Sequence, residues 1–166
     1  YIQKCFINRY GLDQWCESYA QTNTSFRTYV SYRSVLDHHL IPRLGKIPIA
    51  SLEPQQIQDY YAEKMIQGRA DGKGGLSSRS VLYHHRILTK ALDHAVRMGA
   101  VARNMAKVVQ PPRVSRKTMN IMDADQVNHF LDVASESIYY PLFATLIYTG
   151  MRRGEALALR WKNVDL

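Results

Sequence analysis

The sequence predicts an all-α protein built from two modules, and three observations lead to that prediction. Apolar residues recur at helical spacing along most of the chain, proline and glycine cluster at the joints, and no convincing strand pattern is present. Residues 1–122 hold 18 Lys and Arg against 8 Asp and Glu, whereas residues 123–166 hold 4 against 6. A strongly basic front with a nearly neutral back is typical of two modules with different tasks.

The first two helices occupy the N-terminal quarter of the chain. The first is expected over residues 1–20 or 12–20, with Trp15 and Tyr19 on one face. The second is expected from a cap at Asn23 or Thr24 to the residue before Pro42, because proline rarely continues a helix. Its apolar face holds Tyr29, Tyr32, Leu36 and Leu40, and its polar face holds Arg27, Ser31, Ser34 and His38.

The third and fourth helices follow a proline-bounded connection. Pro54 is a favoured first-turn residue, and Ser77 or Ser78 is a suitable cap for the fourth helix. The fourth helix is expected to reach about Met98, where Gly99 ends it. The third helix is predicted to bury Ile57, Tyr60, Tyr61 and Met65, and the fourth to bury Val81, Leu88, Leu92, Ala95 and Val96.

The second module begins after an extended basic segment, residues 110–118, that contains two prolines. Asp123 and Gln126 have the spacing of a capping box, which predicts a helix start. Three helices are expected: one to about Ala134, one from about Ile138 to Tyr148, and one after Gly150 that carries Glu155, Leu157 and Leu159 to Trp161.

A stripe of cations on the fourth helix points to a polyanionic partner. Its members lie within about 40° on a helical wheel, with Tyr83 beside them and only Asp93 as a nearby acid. A solvated face is the ordinary alternative, but such a face normally mixes both signs of charge. We therefore expect the stripe to face phosphates; it comprises Arg79, Arg86, Lys90 and Arg97.

The net charge of +8 and the pI near 9.6 fit nucleic acid better than a membrane, because no apolar stretch approaches the length of a bilayer span. The chain also shows no secretory leader, and Cys5 and Cys16 have no metal-ligand spacing, so reduced thiols and a cytoplasmic location are expected. Further candidates for DNA contact are Arg27, Arg33, Lys46, Ser78, Arg116 and Lys117.

The segment from Tyr148 to Asp165, YTGMRRGEALALRWKNVD, resembles the first catalytic box of tyrosine recombinases of the phage-integrase family, TGxRxxE followed by LxW and an acid. Further segments match the DNA-binding part of that family in the family's order. They are Thr28 to Tyr32, HLIPRLG at 39–45, LSSRSV at 76–81, ALDHAV at 91–96, and Asn104.

The resemblance implies a four-helix, SAM-like core-binding domain over residues 1–108, a linker over 109–122, and the helical start of the catalytic domain over 123–166. It implies a reaction in which a tyrosine attacks a DNA phosphodiester, forms a 3′-phosphotyrosyl link, and is displaced by a partner strand. Four protomers on two DNA sites exchange strands without a cofactor or metal, and a DNA-bending accessory protein is a plausible partner. The parent is expected to be encoded by a bacterium or a phage.

In that box, Arg152 is the equivalent of the first catalytic arginine. Its planar guanidinium suits the non-bridging oxygens of a pentacoordinate phosphorus, and Glu155 lies one turn on, where it can hold Arg152 or a neighbouring residue in place. The alternative is that Arg152 merely caps a helix or pairs at the surface.

Two departures and one absence qualify the match. Asn104-Met105 replaces the usual Asn-Pro and is expected to loosen that turn, while Ile121-Met-Asp123 replaces the usual Leu-Thr with the cap kept by Asp123. The family's later lysine, HxxR box and tyrosine nucleophile belong downstream of Asp165, so the fragment is expected to bind DNA without cutting it. The alternatives are a non-catalytic helical DNA-binding regulator and a type IB topoisomerase.

Overall fold

The computed structural model describes residues 11–69, 71–115 and 118–164, and every helix or strand assigned over those ranges is a helix. The all-α prediction is therefore confirmed. The chain forms two compact units, Tyr1–Arg116 and Lys117–Leu166. Within the described ranges, none of the helices combines the length and the apolar character needed to cross a bilayer.

Helix α1 (residues 12–23) supplies one wall of the first core. Trp15 and Cys16 are buried, whereas Tyr19, which we expected on the same face as Trp15, is partly exposed and stacks on His94 at 4.7 Å between ring centroids. The alternative start at Tyr1, and Cys5, lie outside the described residues. Regular α-helical turns flank wider π-helical ones, in the order Leu12–Gln14, Trp15–Ala20 and Gln21–Asn23.

Helix α2 (residues 26–44) runs through Pro42, so the predicted end before that proline is wrong. Proline lacks an N–H, and its ring clashes with the carbonyl four residues back in a regular α-helix. The preceding turns are wider: the Ile41 N–H donates to Leu36 O, five residues back, which opens the helix just before the proline. The cap is Ser25, not Asn23 or Thr24, and its Oγ accepts from the Thr28 N–H at 3.4 Å.

Helices α3 (Pro54–Gln67) and α4 (Ser78–Arg97) complete the first unit. The predicted cap at Ser77 is confirmed, since its Oγ accepts from the Ser80 N–H at 3.2 Å, and Gly99 follows the helix with φ +71°. Met65 is exposed, so its predicted burial is wrong. The predicted burial of Val81, Leu88 and Leu92 on α4 is confirmed, whereas Ala95 and Val96 are only partly buried. The other buried residues of this helix are His84, Ile87 and Ala91.

The turn after α4 is held tightly, contrary to the loosening that the missing proline predicted. The Asn104 side chain donates to Thr89 O and to Asp93 Oδ1, both at 2.9 Å, and accepts from the Ala106 N–H at 2.9 Å. Three hydrogen bonds at a buried amide therefore fix a short 3₁₀ turn, Met105–Lys107, without proline.

The second unit contains α5 (Ala124–Ala134), α6 (Tyr140–Thr149) and α7 (Arg153–Leu157). The predicted capping box is confirmed: the Gln126 N–H donates to Asp123 Oδ1 at 2.9 Å, and the Asp123 N–H donates to Gln126 Oε1 at 3.1 Å. Gly150, at φ +66°, ends α6 in the left-handed conformation that glycine favours. Helix α7 is shorter than predicted, since a separate 3₁₀ turn covers Trp161–Asn163.

Candidate nucleic-acid interface

A groove of about 1100 Å³ lies between α2 and the N-terminal half of α4 in the first unit. Arg27 enters from α2, while Arg79 and Arg86 enter from α4, two turns apart. None of the lining side chains, all of which belong to the described ranges, is Asp or Glu. The lining is therefore basic and rich in hydroxyl groups, with Ser31, Ser34, Ser77, Ser80 and Tyr83 among its members.

The floor of the groove is fixed by contacts between the two helices. The hydroxyls of Ser31 and Tyr83 are hydrogen-bonded at 3.0 Å, which ties α2 to α4. Deeper down, the rings of His39 and His84 lie 4.7 Å apart, and the Tyr60 hydroxyl bonds His84 Nδ1 at 2.8 Å. Burial, with smaller contributions from His39 and Lys64, lowers the pKa of His84 to about 4, and burial also lowers the pKa of His39. At neutral pH the positive charge of the groove therefore comes from its arginines.

The cation stripe of α4 continues past the groove toward the end of the helix. Arg79, Arg86, Lys90 and Arg97 are all exposed, as the wheel predicts. Lys90 Nζ donates to the Tyr32 hydroxyl at 2.9 Å and lies 5.5 Å from the centre of that ring. The one nearby acid, Asp93, is engaged by Lys107 at 2.7 Å and by Asn104. Across the described residues, no carboxylate lies within 4.0 Å of a stripe cation.

Arg33 is held in an ion network rather than offered to a ligand. Its guanidinium reaches Asp13 at 2.8 Å and Asp37 at 2.9 Å, with Glu17 at 3.6 Å. Three carboxylates around one guanidinium compete with any phosphate, so we do not retain Arg33 as a candidate for DNA contact.

The remaining candidates fall in three places. Ser78 is the first residue of α4 and is half-buried, next to the groove-lining residues Ser77 and Arg79. Lys46 is exposed on the connection between α2 and α3 and does not line the groove. Arg116 and Lys117 lie outside the described residues.

In the second unit, Arg152 and Glu155 make the contact that the sequence predicts. Arg152 Nη1 donates to Glu155 Oε1 at 3.1 Å, and the Arg152 backbone N–H donates to Glu155 Oε2 at 2.9 Å. The bonds to the backbone N–H and to the guanidinium lower the pKa of Glu155, so its carboxylate stays ionised. The Arg152 side chain is 87 % exposed, and its remaining N–H groups are open to a ligand.

Comparisons with known proteins show which family the chain belongs to. Residues 9–65 match the family model described as "Phage integrase, N-terminal SAM-like domain". The chain is 33 % identical to the phage integrase SAM-like domain of Moorella thermoacetica, with 70 % of this chain and 92 % of that domain covered and a TM-score of 0.55. The chain belongs to the phage-integrase family of tyrosine recombinases.

Other members of the family match over nearly the whole chain. An integrase of Saccharopolyspora erythraea is 25 % identical over 156 residues, 93 % of this chain and 34 % of the relative. A lambda integrase dimer bound to a COC′ core site aligns with a TM-score of 0.76 at 17 % identity, over 93 % of this chain and 54 % of that one, which shows a shared fold. The chain spans about a third of the length of the first curated relatives it matches.

The two histidines of the groove were not among the predicted site residues. His39 and His84 form the groove floor, but histidine has no fixed place in a helical pattern. The spacing of Val81, His84 and Leu88 puts His84 on the apolar face of α4, and that position was the available signal for a buried imidazole. Within the described ranges no cluster of three His, Cys, Asp or Glu is placed to hold a metal ion.

Proposed function

We propose that this chain is the DNA-gripping part of an integrase that cuts and rejoins DNA at specific sites. Residues 1–108 form the core-binding domain, 109–122 the linker, and 123–166 the start of the catalytic domain. The lambda integrase with the same fold is bound to a core site, which supports duplex DNA as the partner.

The groove between α2 and α4 is the observation that carries this proposal. Three arginines converge on a surface without carboxylates, and hydroxyl groups and a helix N-terminus stand beside them. Guanidinium, hydroxyl and backbone N–H donors are the groups that bind phosphate oxygens, and such contacts give affinity and register without selecting sequence. The proposed phosphate contacts are Arg27, Ser78, Arg79, Tyr83, Arg86 and Lys90, with Lys46, Arg116 and Lys117 tracking the backbone from the connection and linker.

Arg152 and Glu155 supply the chemical part of the proposal. In the whole recombinase, the Arg152 guanidinium binds the non-bridging oxygens of the phosphate that a tyrosine attacks, and stabilises the charge they gain. Glu155 acts as a positioning residue, because its carboxylate accepts from both the side chain and the backbone of Arg152. Four protomers exchange strands through a 3′-phosphotyrosyl intermediate, with a DNA-bending protein as an additional partner, and residues 1–166 alone bind DNA without cutting it.

A salt series tests the DNA-binding proposal on the 166-residue chain. Affinity for a random-sequence duplex is measured from about 50 to 200 mM salt, for the wild type and for the double variant Arg79→Ala/Arg86→Ala. Each lost phosphate contact reduces the slope of log K against log salt by about one, so the double variant should lose about two.

The matched control is Lys73→Ala/Arg103→Ala, which removes the same charge from exposed positions that do not line the groove. We expect the control to keep the wild-type slope within about half a unit. Equal losses in both double variants would mean that net charge, not the groove, determines binding. An unchanged slope in the groove variant would refute the assignment of the groove.

A further inference from the structure

An apolar pair stands on the exposed crest of α2, beside the basic groove. Phe26 is 81 % exposed and Val30 is 47 % exposed, and their spacing of four residues places them on one face of the helix. Single exposed apolar residues are ordinary on protein surfaces. Two exposed apolar residues on successive turns, at the edge of a carboxylate-free, arginine-lined groove, indicate a ligand that offers apolar as well as anionic groups.

Val30 belongs to the groove itself. It lines the cavity together with Arg27, Ser31 and Ser34 from the same helix, so a ligand held by the arginines also meets the Val30 side chain. Phe26 lies one turn before Val30, at the first position of α2 after its Ser25 cap. The exposed crest of α2 therefore presents two apolar side chains, Phe26 and Val30, next to the Arg27 guanidinium and the hydroxyl groups of Ser31 and Ser34.

Duplex DNA carries one apolar group on the base edges of its major groove, the C5 methyl of thymine. The major groove is wide enough to admit an α-helix, and phosphates flank it on both sides. Val30 and Phe26 are suited to contact the thymine methyl groups, and the arginines beside them are suited to bind the flanking phosphates. We propose that Val30, with Phe26, contacts thymine methyl groups and so contributes to the choice of DNA sequence, an inference that rests on the DNA binding proposed above.

The charge around the crest favours DNA over a protein surface as the occupant. Arg27, Arg79 and Arg86 line the same groove, and none has a carboxylate partner within 4.0 Å among the described residues. If a second copy of this chain bound to the same patch, the arginine clusters of the two copies would lie close together and repel each other.

The test is to remove the methyl groups one at a time. The 166-residue chain selects duplexes from a library with a randomised centre, and each thymine of the best duplex is then replaced by deoxyuridine. Loss of one buried methyl contact should weaken wild-type binding about fourfold at one or two positions. Val30→Ala should bind thymine and deoxyuridine duplexes equally there, within about twofold.

Val108→Ala is the matched control, since Val108 is exposed in the same unit and does not line the groove. It should keep the full methyl effect, and Phe26→Ala should reduce that effect. The inference is overturned by a wild type that ignores every methyl group, or by a Val30→Ala protein that keeps the wild-type sensitivity. A change in oligomeric state on Val30→Ala without a methyl effect would overturn it in favour of a protein interface. Absence of any duplex binding by the wild type would refute the proposed function itself.

Discussion

The two units of this chain differ in how completely they bury their apolar residues. In the first unit, α1 to α4 enclose one continuous core, to which the described residues contribute twenty buried side chains. In the second, Leu131 and Ala134 are the buried apolar residues of the described part, although α6 is apolar on nearly every side. A helix of that kind is typical of positions surrounded by other elements. The described part of the first unit therefore encloses a core of its own, whereas the second has an apolar surface that residues 118–164 leave open.

A matched pair of leucines gives the largest expected difference between the units. Leu88→Ala removes a fully buried side chain of α4, and should lower the free energy of unfolding by about 2–5 kcal/mol. Leu157→Ala removes a side chain that is 67 % exposed in the second unit, and should change the free energy of unfolding by less than about 0.5 kcal/mol. Urea titration measures both values.

The two tryptophans allow the units to be followed separately. Trp15 is buried in the first core, whereas Trp161 is exposed in the second unit, so Trp161→Phe leaves fluorescence that reports the first core alone. If Leu157→Ala shifts the urea unfolding transition followed by Trp15 fluorescence as much as Leu88→Ala does, the two units do not differ in how much their leucines contribute to stability.

Local signals allowed the element order to be predicted, and tertiary contacts account for what was missed. Ser77, Gly99 and the Asp123–Gln126 box act within one turn of a helix, so sequence spacing identifies them. Pro42 was misjudged because wide turns ahead of a proline depend on the packing of the whole helix rather than on a local pattern.

The same division holds for the candidate site. The wheel identified Arg79 and Arg86 because both lie on one face of one regular helix. It could not exclude Arg33, since two of the three acids around it, Asp13 and Glu17, come from a different helix. Helical periodicity shows which residues share a face, but not which side chains from other elements meet that face.

A pH titration sharpens the comparison between the units, because His84 of the first unit is buried and His129 of the second unit is exposed. Burial lowers the pKa of His84 to about 4, below the value near 6.5 expected when the chain is unfolded. Between about pH 6.5 and pH 4, His84 binds a proton in the unfolded chain but not in the folded unit. The free energy of unfolding therefore falls as the pH is lowered through this range. The expected loss is roughly 3 kcal/mol, and urea titrations at several pH values measure it.

Two neighbouring histidines act in the same direction, since burial also lowers the pKa of His39 and of His85. His84→Phe keeps a ring of similar size and should remove most of the slope between pH 6.5 and 4. His129→Gln, at an exposed position of α5, should leave the slope unchanged. A slope that survives in His84→Phe would show that other groups control the acid response.

The smallest expected effect on stability belongs to the exposed pair of the second unit. Glu155→Ala should leave the Tm and the duplex affinity of the 166-residue chain unchanged, because exposed ion pairs contribute little. In a full-length recombinase the same change should slow formation of the covalent protein–DNA adduct on a nicked substrate, about tenfold, since Arg152 loses both bonds that orient it. Glu155→Gln keeps an acceptor oxygen and should restore part of that rate. Adduct formation at the wild-type rate in Glu155→Ala would exclude a positioning role, whereas a lowered Tm would mean that the pair supports the fold instead.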